Sequence, residues 1–404
     1  MSILATLLCA FLLLSVFISL ILTPYPKAYN YPYHHYIIQK ITHKKQQHAS
    51  TLLKPNITQC PPLSPRPTIP KSVHNLRPDD IKYVMALGDS ITAAFAAKGK
   101  YHDHPLHIHN IFENRGVSFA AGGDEDAQSL ANFIKFYRED LVGFSVGDHL
   151  IEICKFCPEN QYRPKLDRLN AAQSGASVIN LEHEMNYLLE RIEELQVDMS
   201  SFKFLNLFIG SNDICNSCKT ERVTPRVFEA FIRDTLDTIE SKIPNTIVNL
   251  LGVFNVSQVY EFAHGRKYCR WFKYLPQIQY GCACAFLPGK EGDERRKKMD
   301  EITLEYNKAI KRIVADYASR PPNPSFGLSY HPFELNLTSF PIESVSNVDC
   351  FHPSVSMHQH IAKVLWNNLP INPSSRVPKI IWNPKIEIRC FMDEDRILTV
   401  QANI

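Results

Sequence analysis

From about residue 80 onward, short apolar runs alternate with amphipathic stretches along the chain. Three runs are rich in apolar residues and end in glycine or turn signals, as buried parallel strands do: Ile81–Leu87, Phe204–Ile209 and Thr246–Val253. Apolar residues recur at helical spacing in five other stretches: Leu130–Leu141, Leu181–Leu195, Pro225–Ile243, Met299–Tyr317 and Val355–Leu369. Strands that are separated by helices predict an α/β fold, with a mostly parallel sheet and helices on both of its faces.

The N-terminal segment has a different pattern. Residues 3–22 contain nothing more polar than Thr6, Ser15 and Ser19, and a helix of this length spans about 30 Å, the thickness of a bilayer core. Residues 1–22 are therefore interpreted as a cleaved signal peptide or an uncleaved signal-anchor, and the length favours the anchor. Both interpretations place the rest of the chain in the secretory pathway, either extracellular or membrane-anchored outside the cytosol.

The remaining chain divides into three parts. Residues 23–78 are rich in Pro, Tyr and His without apolar periodicity, which is typical of a stalk or a loosely packed N-terminal wrap. The strands and helices fall in residues 79–370, the main domain. Residues 371–404 are expected to form a C-terminal extension that packs on this domain.

Composition narrows the functional classes. The 404 residues are 45% hydrophobic and 21% charged, which is ordinary for a globular protein and excludes disordered, collagen-like and coiled-coil proteins. The formal net charge is only +3, so no strong electrostatic field attracts nucleic acid, and we expect no nucleic-acid partner.

Ten cysteines lie outside the apolar N-terminal run, and an even count in a translocated chain predicts disulfides: Cys60, Cys154, Cys157, Cys215, Cys218, Cys269, Cys282, Cys284, Cys350 and Cys390. The two C-x-x-C pairs could instead bind zinc, but an oxidising compartment favours disulfides. A thiol redox enzyme is excluded, because neither pair opens a helix after a first strand. The spacing leaves the connectivity open. Three Asn-x-Ser/Thr sequons, at Asn56, Asn255 and Asn336, are consistent with secretion.

Candidate chemistry lies at the ends of two predicted strands, where parallel sheets bind ligands. The first strand runs into Gly88-Asp89-Ser90, so Ser90 is either a nucleophile or a helix N-cap. The second strand ends in Gly210-Ser-Asn212-Asp213. Asn212 could cap a helix, or its amide could stabilise a developing oxyanion.

Two further stretches could complete such a site. The small, polar stretch from Asn170 to Gly175 is suited to offering a backbone N–H. Asp349 precedes His352 by three residues, so the carboxylate could hold the tautomer of an imidazole that faces a serine hydroxyl. Together the four elements supply a nucleophile, oxyanion donors, a base and a group that orients it.

In order and content these elements resemble the sequence blocks of the GDSL/SGNH hydrolases. Over about residues 70–400 the chain is similar to the membrane-associated phospholipase B branch of that superfamily, through the stretches His74–Lys82, Ser118–Asp124, Gly143-Phe-Ser145, Asn212–Cys218 and Asp349–Ser354. One departure is Ile91, where the family name has Leu; it is conservative and does not touch the chemistry.

The resemblance implies a three-layer α/β/α, flavodoxin-like fold and hydrolysis of phospholipid or lysophospholipid esters, with a membrane surface as partner. By motif, Ser90 is the nucleophile, His352 the general base and Asp349 the residue that orients it. The amides of Ser90 and Gly175 and the side chain of Asn212 would form the oxyanion hole. The resemblance implies no metal and no cofactor.

Alternatives remain at this point. The same fold serves many esters, so a secreted carboxylesterase acting on small or glycan-borne acyl groups is the first. A catalytically silent binding protein on the cell surface is the second, and the presence of all the catalytic motifs argues against it. The tract His102, His104, His107 and His109 could bind a metal but is more typical of a polar loop. Asp124 either lines the substrate cleft or caps the helix that begins near Gln128, and the cap is favoured.

Overall fold

The computed structural model describes residues 56–99, 111–154, 161–218, 223–264, 266, 268–269 and 282–401. These residues belong to one compact unit, Lys54–Ile404. The apolar run 3–22, residues 23–55 of the expected stalk, the histidine tract 102–109 and Cys157 lie outside the described residues.

The central sheet contains four parallel strands in the order β1-β4-β5-β6: β1 (Ile81–Gly88), β4 (Phe202–Phe208), β5 (Thr246–Leu251) and β6 (Phe326–His331). On its other side, β1 makes single parallel bridges with Val142 and Asn170. Two pairs of short strands lie outside this sheet: β2 (Phe112–Glu113) with β3 (His149–Leu150), and β7 (Glu334–Leu335) with β8 (Lys379–Ile380).

The α-helices of the described ranges are α1 (Leu130–Tyr137), α2 (Pro164–Asp167), α3 (Leu181–Glu194), α4 (Ser211–Asn216), α5 (Pro225–Lys242), α6 (Gln258–Ala263), α7 (Ala283–Phe286), α8 (Gly289–Ser319) and α9 (Val355–Asn368). Helices α5 and α8 pack against each other, with the rings of Phe228 and Tyr306 stacked at 4.1 Å. Helices α1 and α9 form a second pair, through Phe133 and Trp366.

The two helix pairs cover opposite faces of the sheet. Successive side chains of a strand point to opposite faces, so Phe326 and its partner Thr246 lie on one face and Asn206 lies on the other. The ring of Phe326 contacts Tyr317 of α8, whereas the side-chain amide of Asn206 donates to the carbonyl of Ala120, in the segment before α1. The predicted α/β architecture with a mostly parallel sheet is therefore confirmed.

The three predicted strands and the five predicted helices are present, with shifted boundaries. Strand β6 was missed, because Gly327, Ser329 and His331 interrupt its apolar pattern although the strand is buried. Helix α8 begins at Gly289 rather than Met299, since its first turns are almost entirely charged and have no apolar periodicity.

The segments before and after the main domain contact it closely. Ile57 is buried, and the N–H of Val73 donates to the carbonyl of Pro324. From the C-terminal extension, the buried Arg376 donates to Ser329 Oγ and to the carbonyl of Tyr330 in β6. The hydrogen bonds of Val73 and Arg376 attach the segments 56–78 and 371–401 to the β6 side of the sheet.

Disulfides form as predicted and join Cys60 to Cys390, Cys215 to Cys282, Cys218 to Cys284 and Cys269 to Cys350. Cys154 is also disulfide-bonded. Because Cys215 and Cys218 bond to two different cysteines, this C-x-x-C pair is not a zinc ligand set. Within the described ranges, no helix combines the length and the apolar character that crossing a bilayer demands.

Candidate active site

Gly88 is the last residue of β1, and Ser90 lies two residues after it. That glycine has a φ of +153°, and a Cβ placed there would lie 2.3 Å from the carbonyl oxygen of Phe208 on the adjacent β4. Only glycine allows the two strands to approach so closely while the chain turns. The turn presents the Ser90 side chain beyond the end of the sheet.

Ser90, His352 and Asp349 form a hydrogen-bonded relay. Ser90 Oγ lies 2.7 Å from His352 Nε2, and His352 Nδ1 faces Asp349 Oδ2 within hydrogen-bonding distance. The other carboxylate oxygen, Oδ1, accepts from the backbone N–H groups of Phe351 (3.0 Å) and His352 (3.1 Å). The carboxylate is therefore fixed, and it orients the imidazole so that Nε2 faces the serine hydroxyl.

The segment that carries Asp349 and His352 is held from several sides. Cys350, between them, has a φ of +53° and is disulfide-bonded to Cys269. The carbonyl of His352 accepts from the N–H of Ser346 at 2.8 Å. The imidazole also lies edge-on against the ring of Phe95, with centroids 4.8 Å apart. These contacts keep the His352 imidazole in place, although it belongs to a loop.

The three relay side chains are nearly inaccessible, since their residues are only 5–6% exposed. Burial alone would raise the pKa of Asp349, but the adjacent His352 and the hydrogen bonds from His352 and Phe351 outweigh it and lower the pKa. The carboxylate consequently stays ionised, as a group that stabilises an imidazolium must be.

Three other carboxyl groups surround the turn and are buried. Burial raises the pKa of Asp89 to about 6 and that of Asp213 to about 7, and it also raises the pKa of Glu184. Asp89 Oδ1 accepts from the N–H of Ile91, Asp213 from that of Val178, and Glu184 from that of Gly88. Sequence reasoning missed Glu184, since an acid within the amphipathic pattern of α3 gives no signal that it faces the sheet.

The expected oxyanion donors lie on neighbouring segments. The stretch from Asn170 runs along β1, where the N–H of Gln173 donates to the carbonyl of Gly88 at 2.9 Å, and then reaches Gly175, whose φ is +82°. From the first turn of α4, the side-chain amide of Asn212 donates to the carbonyl of Ala176 at 2.9 Å. One N–H of that amide group remains for a further acceptor.

A cavity of about 490 Å³ opens beside Gly175. Its walls include the apolar side chains of Ile179, Val223 and Ile302, and Asp213 is also among its lining residues. A cavity of this size is in the range that holds small-molecule ligands.

The preferred interpretation of Asp124 is wrong. The N-cap of α1 is Ser129, whose side chain accepts from the N–H of Asn132. Asp124 Oδ1 instead accepts from the N–H of Gly147 at 2.8 Å, and its carboxylate lies 3.8 Å from the Lys98 ammonium. Within the part of the chain that the structure describes, no group of three or more His, Cys, Asp and Glu side chains could hold a metal ion.

Comparison with protein families gives an independent result. Residues 84–365 match the model of a family described as GDSL-like lipase/acylhydrolase. This range is well over half of the chain and includes all the relay residues.

Curated relatives match over most of this chain. "Phospholipase B1, membrane-associated" of Rattus norvegicus is 28% identical over 360 residues, which are 85% of this chain and 23% of that protein. Its Homo sapiens counterpart is 28% identical over 348 residues, which are 82% and 22%. The chain thus spans under a quarter of the length of these relatives.

Among solved structures, a protein of Parabacteroides merdae described as a GDSL-like lipase is 17% identical to this chain. The superposition covers 72% of this chain and 94% of that chain, with a TM-score of 0.34. A TM-score this low carries no argument about the fold. The α/β fold is established by the parallel pairing of β1, β4, β5 and β6.

Proposed function

This chain belongs to the GDSL-like lipase/acylhydrolase family, and from that premise we propose that it is a serine ester hydrolase that releases fatty acids from phospholipids and lysophospholipids. The observation that carries the proposal is the relay from Ser90 Oγ through His352 to Asp349. A serine paired with an imidazole, which is in turn held by a buried carboxylate, is the arrangement that activates a hydroxyl for attack on an ester.

In the first half of the reaction, Ser90 Oγ attacks the ester carbonyl carbon and its proton passes to His352 Nε2. The carbonyl oxygen becomes an oxyanion, which the N–H groups of Ser90 and Gly175 and the amide of Asn212 stabilise. The bond to the leaving alcohol then breaks, and His352 gives its proton to that oxygen. The products of this half are an acyl-Ser90 ester and an alcohol. The alcohol is a lysophospholipid when the substrate is a phospholipid, and the fully deacylated head-group compound when the substrate is a lysophospholipid.

In the second half, a water molecule attacks the acyl-enzyme while His352 accepts its proton. Collapse of this second oxyanion releases the fatty acid and returns the proton to Ser90. Asp349 stabilises the imidazolium in both halves and does not itself take up the proton. The two halves together add one water across the ester bond.

Phospholipid esters are favoured over other acyl esters for two reasons. The curated relatives that match most of this chain are phospholipases B1 by name. In addition, the cavity beside Gly175 is partly lined by the apolar side chains of Ile179, Val223 and Ile302, which suits an acyl chain. The substrate would be presented at a membrane surface, and the disulfides fit the proposed location outside the cytosol.

The test measures fatty-acid release from phosphatidylcholine and from lysophosphatidylcholine by the full chain, produced in a secretory host. Ser90→Ala is compared with wild type, and Ser329→Ala is the matched control, because Ser329 is a buried serine in β6, at the opposite edge of the sheet from β1. We expect release from both lipids by wild type and by the control, and loss by at least about a thousandfold in Ser90→Ala.

Two results would contradict the proposal in different ways. Ser90-dependent cleavage of nitrophenyl butyrate without release from either lipid would overturn the phospholipid assignment and leave a carboxylesterase. Full activity of Ser90→Ala on any ester would overturn the relay itself.

A further inference from the structure

Four charged side chains form a buried cluster beneath the proposed oxyanion hole, and none of them belongs to the relay. Glu113, Arg115, Asp167 and His149 are between 0% and 8% exposed. Glu113 lies in β2, Arg115 just after it, His149 in β3 and Asp167 at the end of α2. The cluster therefore joins segments that are distant in sequence.

Arg115 is the centre of this cluster. Its guanidinium donates twice to Glu113 Oε2, at 2.7 and 2.9 Å, and its Nε lies 3.1 Å from Asp167 Oδ1. The remaining donors reach the backbone carbonyls of Asn170 (3.0 Å) and Ala172 (2.7 Å). A planar fork with five donors can serve all these acceptors at once, which a lysine ammonium cannot.

His149 completes the charge balance. Its Nε2 lies 3.0 Å from Asp167 Oδ1 and 3.5 Å from Glu113 Oε2, and its Nδ1 lies 2.9 Å from the carbonyl oxygen of Leu150. Both ring nitrogens face oxygen acceptors, and although burial lowers the pKa of His149, the hydrogen bond to Asp167 and the charges of Asp167 and Glu113 raise it overall, which favours the doubly protonated, cationic imidazole. The positive charges of Arg115 and His149 then balance the negative charges of Glu113 and Asp167. Arg115 is the one group of like charge near His149 within this cluster.

The cluster ends on the segment that leads to Gly175. Glu113 Oε1 accepts from the backbone N–H of Ser174 at 3.2 Å and from its hydroxyl. Arg115 holds the carbonyls of residues 170 and 172, and the hydroxyl of Tyr162 holds that of Ala171. The carbonyl of Ser174 accepts from the N–H of Cys154 at 2.7 Å. Most of the peptide groups before Gly175 are thus fixed by buried partners.

A gain in stability is a weak explanation for this arrangement. Desolvating ions costs more than their pairing commonly returns, and well-packed apolar residues of similar size often serve equally well. What a buried charged network supplies is a defined geometry for the atoms that it contacts. Here those atoms belong to residues 170–174, the segment that leads to Gly175.

We propose that Glu113, Arg115, Asp167 and His149 are positioning residues that hold residues 170–174 so that the Gly175 N–H points at the oxyanion, with the Glu113–Ser174 contact as the last link. This inference rests on the proposed ester hydrolysis. The four residues act through Gly175 and do not touch the substrate.

The experiment uses the full chain with Ser174→Ala, Glu113→Gln, the double variant and Ser329→Ala as the matched control. We expect each single variant to lower kcat by about tenfold to a hundredfold, with KM changed less than about twofold, because a misplaced donor weakens the transition state more than the bound ester. The double variant should lose no more than the larger single loss, since both changes break the same link. Ser329→Ala should retain the wild-type kcat.

A second readout does not depend on turnover. Hydrogen–deuterium exchange at the amides of residues 173–176 should be at least about tenfold faster in Ser174→Ala and Glu113→Gln than in wild type and Ser329→Ala. Unchanged exchange and unchanged kcat in both single variants would overturn the positioning role. If wild type cleaves no ester while the exchange rates change as expected, the proposed ester hydrolysis is wrong. The proposal that the cluster holds residues 170–174 in place is then still supported.

Discussion

Ser90 Oγ and His352 Nε2 lie 2.7 Å apart, although 262 positions separate the two residues in the chain. Ser90 depends on the turn at the end of β1, whereas His352 depends on a loop that precedes α9 and is tied down by the Cys269–Cys350 disulfide. The distance between Ser90 and His352 is therefore set by two independent parts of the structure, the turn after β1 and the disulfide-bonded loop before α9. Each part can be weakened separately by substitution.

Asp349→Asn should lower kcat by about a thousandfold or more and leave KM nearly unchanged. The oxygen of the new side-chain amide can still accept from the backbone N–H groups of Phe351 and His352, so its NH2 group would face His352 Nδ1. That contact favours the tautomer with the proton on Nε2, which cannot accept the Ser90 proton. Initial rates on a soluble ester measure the effect. Asp300→Asn is the matched control, as Asp300 is a half-buried acid that accepts from Ser257 Oγ, and an equal loss there would contradict the assignment.

Removal of the Cys269–Cys350 disulfide should reduce both stability and activity. We expect Cys269→Ser/Cys350→Ser to lower the free energy of unfolding by about 2–4 kcal/mol and to lower kcat as well, because Asp349 and His352 flank Cys350. Urea denaturation and initial rates measure the two effects.

The matched comparison is Cys60→Ser/Cys390→Ser, which opens a disulfide outside the relay segment. This variant should lose stability on the same scale while its kcat stays near that of wild type. If both double variants lose kcat alike, the loss follows from general destabilisation and not from the position of His352.

Gly88→Ala should destabilise the protein by about 2 kcal/mol or more and abolish activity. The new methyl group would lie 2.3 Å from the Phe208 carbonyl oxygen and 2.5 Å from Thr92 Oγ1, so β1 and β4 must separate and the Ser90 turn must move. Gly289→Ala separates steric clash from backbone strain, since Gly289 has a φ of +72° and no atom within 4 Å of the added Cβ. A loss in Gly289→Ala as large as that in Gly88→Ala would contradict this explanation.

Much of the site could be predicted because its signals are local in sequence. A strand that runs into Gly88-Asp89-Ser90 marks Ser90 as the candidate nucleophile by its position at a sheet edge, and Asp349 and His352 are only three positions apart in the chain. The strands and helices were likewise visible where apolar periodicity was strong. Asp124 was misassigned because an acid shortly before a helix satisfies the pattern of a cap, while the chain places Ser129 there.

Other features have no local signal. The contacts of Arg115 with Asn170 and Ala172 join residues 55 and 57 positions apart, and neither motif nor period connects them. The pairing of Cys269 with Cys350 depends on how residues 268–269 lie against the loop before α9, where the Tyr268 hydroxyl donates to the carbonyl of Val345, and spacing alone does not determine this. Glu184 shows the same limit, since only the folded structure places its carboxylate against the N–H of Gly88.

The buried carboxyl of Asp213 should make the protein less stable as the pH rises. Its pKa is raised by burial to about 7 in the folded state, against about 4 in an unfolded chain. The folded protein therefore binds this proton more tightly, so the stabilisation is complete below about pH 4 and is lost as the pH rises through 7. Each pKa unit corresponds to about 1.4 kcal/mol, and the total loss should be a few kcal/mol.

Asp213→Asn should remove much of this pH dependence, because an amide does not ionise and its oxygen can still accept from the N–H of Val178. We expect the variant to exceed wild type in free energy of unfolding at pH 8 and to approach it at pH 4. Urea denaturation between pH 4 and pH 8 measures the difference, with Asp126→Asn as a control at an exposed position. Asp89 and Glu184, whose pKa values burial also raises, remain in the variant and should leave a smaller slope of the same sign. Parallel curves for Asp213→Asn and wild type would show that Asp213 is ionised in the folded protein throughout this range.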